Sequence, residues 1–190
     1  MRILVVGSHH GVGAHVVKKA IAKGHEVQAF EGDVLDEATV ASFVEGCDVV
    51  LSTLGPRDKS PVDLCSRGMR NIVQAMKAHG VRRLVQVTGA MIGHPHERLG
   101  WMYKFIAALV PEAALRDRRL QEEIVKTSGL DWTLVRPTRL TDEPGRGIFR
   151  DGEHEKIGAL AHISREDVAE AMLRAAEDKT TIGRALSLQY

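Results

Sequence analysis

The stretch Ile3-Leu4-Val5-Val6-Gly7-Ser8-His9-His10-Gly11-Val12-Gly13 decides the fold. Its four leading apolar residues read as a strand buried on both faces, and the glycine-rich turn opens directly into a helical pattern. In that pattern Val12, Val16, Val17, Ala20 and Ile21 share one face, and Gly24 stops it. Strand, glycine turn and helix in this order suit a diphosphate. Glycines allow a tight turn and a close approach of backbone N–H groups, and the helix N-terminus adds partial positive charge. Gly7, Ser8, His9, His10, Gly11, Val12 and Gly13 are therefore candidate dinucleotide-binding residues. His9 and His10 have no metal-ligand partner in sequence and read as neighbours of a phosphate or of solvent rather than as catalysts.

Outward from this unit the alternation continues. Short apolar runs at 27–30, 49–54, 83–87, 132–136 and 186–188 read as strands, separated by helical patterns. Ser60-Pro61-Val62-Asp63 has the composition of a helix start, the stripe Cys65, Met69, Ile72, Val73 and Met76 follows, and Gly80 ends it. A charged helix is predicted from Glu112 to Lys126, and Ser164 begins another carrying Val168 and Met172. Such alternation predicts an α/β fold, a single Rossmann-like doubly wound parallel sheet, and with no repeat or long linker one domain spanning 1–190. In such sheets ligands bind at the carboxyl ends of the strands, near the point where strand order reverses.

The 190 residues are 44 % hydrophobic and 27 % charged, with 26 Lys+Arg against 25 Asp+Glu. A chain of this length can remove roughly 70 % of its unfolded surface from water, so it needs no metal or disulfide for stability. The apolar content excludes disorder, and a net charge of +1 excludes non-specific nucleic-acid binding. No apolar run approaches the ~20 residues of a membrane helix, and no cleavable signal is expected before the first strand. Cys47 and Cys65 have no metal spacing, and His94-Pro95-His96 lacks a third ligand, so no metal is expected. A cytoplasmic monomer or homodimer acting on a small molecule is the expectation.

Further stretches carry a resemblance: Gly32-Asp33-Val34-Leu35-Asp36, Ser52-Thr53-Leu54-Gly55, Gly68-Met69-Arg70-Asn71-Ile72-Val73, the run from Ala75 to Val81, and Ser128-Gly129-Leu130-Asp131-Trp132-Thr133-Leu134-Val135-Arg136-Pro137. With these the chain resembles the short-chain dehydrogenase/reductase superfamily, and more closely its atypical NmrA-like, NAD(P)H-binding members, flavin reductases among them. The resemblance implies that Asp33, Val34, Thr53, Leu54 and Gly55 border the cofactor and that Arg57 faces it electrostatically. The glycine spacing is GxxxGxG, and His10 takes the slot of the middle glycine in the GxxGxxG form usual for atypical members.

The largest departure follows the second strand. Relatives have a loop with a basic residue for the NADP 2′-phosphate, a short helix and a third strand; here Val27-Gln28-Ala29-Phe30 passes at once to Glu31-Gly32-Asp33. Roughly 15 to 20 residues are missing, as judged from the minimum length of a parallel crossover plus a strand. Because the lost strand is an edge strand, the second strand is expected to become the edge, in a flavodoxin-like order. With no local Arg or Lys, Glu31 stands near the ~20-residue spacing from the glycine turn at which an acid binds the ribose of NAD, and Asp33 is the alternative. NADH over NADPH, or a weakened dinucleotide site, is expected; a polar turn and helix cap is the bland alternative.

The Tyr–Lys pair of better-known short-chain dehydrogenases is not expected: the tyrosines among the 190 residues are Tyr103 and Tyr190, and Ala107 stands four residues after the first. Two catalytic candidates remain. Thr88, after the fourth strand, could hydrogen-bond a substrate carbonyl or the nicotinamide amide, or merely satisfy a strand end. Arg139 could hold an acidic or flavin-phosphate group, or be an ordinary surface arginine. Hydride transfer to an electron-poor ring needs little acid–base help, which points to an NAD(P)H-dependent reductase of a flavin, quinone or similar flat acceptor. A non-catalytic NAD(P) sensor and a non-redox enzyme that has lost the cofactor are the alternatives. Arg118/Glu122 and Arg119/Glu123 read as a solvated helix face. The apolar stretch 99–110 reads as a lid, a dimer patch or a core helix.

Overall fold

In the computed structural model, residues 1–56, 60–92, 100–153 and 156–190 are described, with backbone alone at 106 and 107. Six strands read from sequence form one parallel array: β1 (Arg2–Val6), β2 (Glu26–Ala29), β3 (Val49–Ser52), β4 (Arg83–Val87), β5 (Asp131–Pro137) and β9 (Arg184–Gln189). The sheet order is β2-β1-β3-β4-β5-β9-β7, with β7 (Arg150–Gly152) pairing antiparallel to β9. A separate two-stranded sheet joins β6 (Arg139–Thr141) to β8 (His162–Ser164). The small strands β6, β7 and β8 were not predicted, since three-residue strands carry too little periodicity to see.

β2 stands at the sheet edge, as the shortened sequence requires. Its exposed–intermediate alternation contrasts with the fully buried β3. From Ala29 the chain turns through Gly32 and Asp33 into α2 (Glu37–Val44), whose first turn Asp36 caps by accepting from the Ala38 and Thr39 backbone N–H groups. Packing pins this turn. A Cβ on Gly68 would lie 2.8 Å from both Val34 and Leu54 side-chain carbons, so only glycine lets α3 (Leu64–Ala78) approach so closely. Asn71 Nδ2 donates to Val34 O at 3.0 Å across the same contact.

Helices cover both faces. On one, α1 (Gly11–Ala22) and α6 (Arg165–Glu177) bury Val12, Val16, Val168 and Met172 against Ile3, Val5 and Leu51. On the other, α2, α3 and α5 (Glu112–Lys126) bury Val40, Met69, Ile72, Met76 and Val125 against Leu4, Val50 and Leu84. Each such aliphatic side chain contributes on the order of 1.5–3 kcal/mol, which makes the sheet a rigid platform for its carboxyl-end loops.

The apolar stretch 99–110 forms α4 (Trp101–Leu109). Tyr103 is buried, but Trp101, Phe105 and Leu109 are exposed, so this helix is not wholly a packing element. His94, Pro95, His96, Leu99 and Arg57 lie outside the described residues. Among the described residues no helix is long and apolar enough to cross a membrane.

Candidate functional site

A cleft of about 510 Å³ opens at the carboxyl ends of β1, β3 and β4. Gly7, with φ of +82°, starts the turn after β1 in a conformation other residues rarely adopt. Gly13 supplies the close approach: a Cβ there would sit 2.0 Å from Gly7 O and 2.8 Å from Thr53 Oγ1. Thr53 Oγ1 in turn donates at 3.0–3.1 Å toward Gly7 O and Val6 O, tying the turn to the end of β3.

The first turn of α1 carries no acid, and its N-cap, His10, makes no side-chain capping bond. That helix end therefore keeps unsatisfied N–H groups and its partial positive charge. Beside it lies an arginine from the far end of the chain: a Cβ on Gly11 would be 3.6 Å from Arg165 Cδ and Nε. Arg165 lines the cleft, and its charge partner is Asp142 at 2.8 Å, an exposed carboxylate. The residues thus fit a diphosphate, with bare helix N–H groups, room where glycine lacks a side chain, and an adjacent guanidinium.

Of the sequence-predicted cofactor residues, Gly7, His9, His10, Gly11, Val12, Asp33, Val34, Thr53, Leu54 and Gly55 line the cleft. Three others do not. Ser8 is buried with its hydroxyl 3.2 Å from His9 Nδ1, Gly13 is packed under the turn, and Glu31 is exposed and does not line the cleft. Asp33, rather than Glu31, is the acid at the edge-strand wall, next to Phe30 and Gly32. Its Oδ1 accepts from Leu35 N at 2.9 Å, the turn-stabilising role of the bland alternative, and Oδ2 is left over for a ligand hydroxyl.

Thr88 lines the cleft, with its hydroxyl donating to Glu122 Oε1 at 2.7 Å. Its proton is committed, so toward a ligand the oxygen can only accept. Glu122 is 3 % exposed and also binds Arg136 through Nε at 2.9 Å and Nη2 at 2.5 Å, with Lys126 at 3.2 Å. Burial alone would raise this carboxyl; the Arg136 hydrogen bonds and charge, with Thr88 and Lys126, outweigh it and hold Glu122 below the usual glutamate range.

One candidate stands apart from the cleft, and one sequence reading is corrected. Arg139 is exposed and absent from the cleft wall, because side chains alternate along β6 and it is the adjacent Leu140 that faces in. Its backbone N–H donates to Tyr103 Oη at 2.7 Å. The Arg118/Glu122 pair is no solvated face: Glu122 is buried, and Arg118 lines the cleft, bonded to Leu54 O at 2.7 Å and Thr88 O at 2.9 Å. The sequence did hold the signal. Leu115, Arg118, Glu122 and Val125 follow one another at intervals of three and four, so they share the face that Leu115 and Val125 bury. Arg165 offered no comparable signal, because only the packing of α6 against α1 brings it to the glycine turn.

Both tyrosines are committed elsewhere. Tyr103 Oη bonds Ala161 O, and Tyr190 Oη donates to Asp167 at 2.6 Å. Among the described residues no group of three His, Cys, Asp or Glu could hold a metal.

The model of a family described as NAD(P)H-binding matches residues 26–179, which begins at β2 and leaves the glycine turn to be argued from its own geometry. A Bacillus subtilis protein, an uncharacterized sugar epimerase named YhfK, is 28 % identical over 153 residues, covering 78 % of this chain and 66 % of its own. The chain spans about half to two thirds of the length of this and two further curated relatives. Among solved structures, a short-chain dehydrogenase/reductase from Veillonella parvula in complex with NADP has a TM-score of 0.83 at 16 % identity, covering 100 % of this chain and 94 % of that one. ChuY, an anaerobilin reductase from Escherichia coli O157:H7, has a TM-score of 0.81 at 22 % identity, covering 99 % and 96 %. At these identities the structures establish the shared fold.

Proposed function

The chain belongs to the NAD(P)H-binding family, and on that premise we propose that it is a reductase that passes hydride from a nicotinamide dinucleotide to a flavin, quinone or similar flat acceptor. The observation that carries this reading is the uncapped, acid-free N-terminus of α1, open to a cleft that Arg165 also lines. When bound, the dinucleotide supplies the hydride chemistry, and the protein supplies binding, orientation and electrostatics.

In this reading Gly7, Gly11 and Val12 hold the diphosphate through backbone N–H groups, and Arg165 exchanges its Asp142 partner for it. An exposed ion pair is worth only about 0–1 kcal/mol, so the exchange costs little. Asp33 accepts from a ribose hydroxyl at the edge wall, where no described cation faces a 2′-phosphate, which favours NADH. Thr88 accepts a hydrogen bond from the carboxamide of the nicotinamide, since Glu122 already takes its proton. A ketone substrate would need a proton donor beside the hydride, and both tyrosines are engaged outside the cleft. A ring that takes its proton from water has no such need.

Equilibrium titration with NADH and NADPH, followed by NADH oxidation with FMN, riboflavin or a quinone, tests the proposal. Micromolar NADH binding with turnover of at least one acceptor is the expected result. Binding without turnover would favour a sensor, and no binding of either nucleotide would overturn the reading.

A further inference from the structure

Arg118 carries a charge that nothing described in the cleft neutralises. Nη1 donates to Leu54 O and to Gln121 Oε1 at 2.9 Å, and Nη2 donates to Thr88 O. These neutral oxygens fix the guanidinium at the ends of β3 and β4 without cancelling its charge. The acids on its own helix are spent: Glu122 is saturated by Arg136, Thr88 and Lys126, and Asp117 accepts from Cys65 N and Ser66 N at 3.0 Å. The second Nη2 proton reaches Val87 O only at 3.5 Å. No described residue bonds Nε, so a carboxylate that displaces the long Nη2 bond to Val87 O takes the Nε–Nη2 edge side-on with two parallel hydrogen bonds.

In the NAD(P)H reading the diphosphate belongs at β1, with α1 and Arg165, whereas Arg118 bonds the ends of β3 and β4, one and two strands away in the sheet order, about 5 and 10 Å at ordinary strand spacing. With the diphosphate held by another cation, a second ligand is the source of an anion for Arg118. We propose that Arg118 selects, at the acceptor end of the cleft, a flat substrate carrying a carboxylate. This rests on the NAD(P)H reading, which places the diphosphate at the other cation.

The test is binding rather than turnover. The chain loaded with NAD⁺ is titrated with 2-naphthoate and with its neutral isostere 2-naphthamide. A charge-assisted bidentate pair predicts about 10-fold or greater preference for the naphthoate. That preference collapses toward unity in R118Q and survives only in part in R118K, whose ammonium keeps the charge but loses the fork. Equal affinities in the unmodified chain, binding of neither probe, or an undiminished preference in both variants overturns the assignment. Dinucleotide titration of the same samples separates the two possible failures. Retained NADH binding without carboxylate preference removes Arg118's role alone, whereas absent dinucleotide binding removes the premise and the role together.

Discussion

Replacing Glu122 with Gln tests whether the buried network beneath Thr88 is electrostatically closed. Glu122 and Arg136 are each 3 % exposed and are joined by hydrogen bonds from Nε and Nη2, so the substitution removes the Glu122 charge from beside a buried guanidinium. Breaking one side of such a pair costs about 3–5 kcal/mol. That is a large part of the roughly 5–15 kcal/mol by which domains are stable. At about 2–4 °C per kcal/mol for a chain of this size, the melting temperature should fall by about 6–20 °C. Urea denaturation of Glu122→Met, of Arg136→Met and of the double variant Glu122→Met/Arg136→Met completes the cycle. The double variant should recover most of the loss, because two apolar side chains leave no buried charge behind. A single-variant loss under about 1 kcal/mol, or losses that simply add, would refute the network.

The pH dependence has a definite sign. Glu122 titrates lower in the folded chain than in the unfolded one, so its stabilisation is complete above the ordinary glutamate value near ~4.3 and drains away as pH falls through the lowered folded value. Glu122→Gln should flatten that acid limb.

Gly13→Ala places a methyl against Gly7 O, and the shifted turn should abolish NADH binding in calorimetry while costing about 1–3 kcal/mol in stability. Arg165→Met should weaken NADH binding about 10-fold and leave adenosine binding unchanged, since adenosine has no diphosphate; equal losses for both ligands would contradict the clamp. Asp33→Asn should lower NADH affinity several-fold relative to NADPH, read by parallel titrations, because a carboxylate is the stronger acceptor for ribose hydroxyls. An unchanged ratio would remove Asp33 from nucleotide selection.

Much of the architecture was legible because it depends on local pattern. The β1 turn reads from Gly7 to Gly13 without any tertiary information, since only a glycine-rich turn joins such a strand to such a helix. The edge position of β2 follows from what the sequence lacks between Phe30 and Gly32. The short strands β6 and β8 were not legible, and with them went Arg139, whose direction depends on the alternation of a three-residue strand.

The sequence by itself determined the order of the six parallel strands along the chain, the glycine turn, and that Ala107 rather than a lysine stands four residues after Tyr103, all properties of residue identity and spacing along one segment. Only the tertiary structure decided which charged groups face the ligand. Packing of α6 against α1 brings Arg165 to Gly11, and packing of α5 against the sheet turns Arg118 to the strand ends while sealing Glu122 onto Arg136. The reason is physical: a side chain's charge acts through its distance and burial relative to groups that the chain brings near only by folding, and a one-dimensional spacing specifies neither.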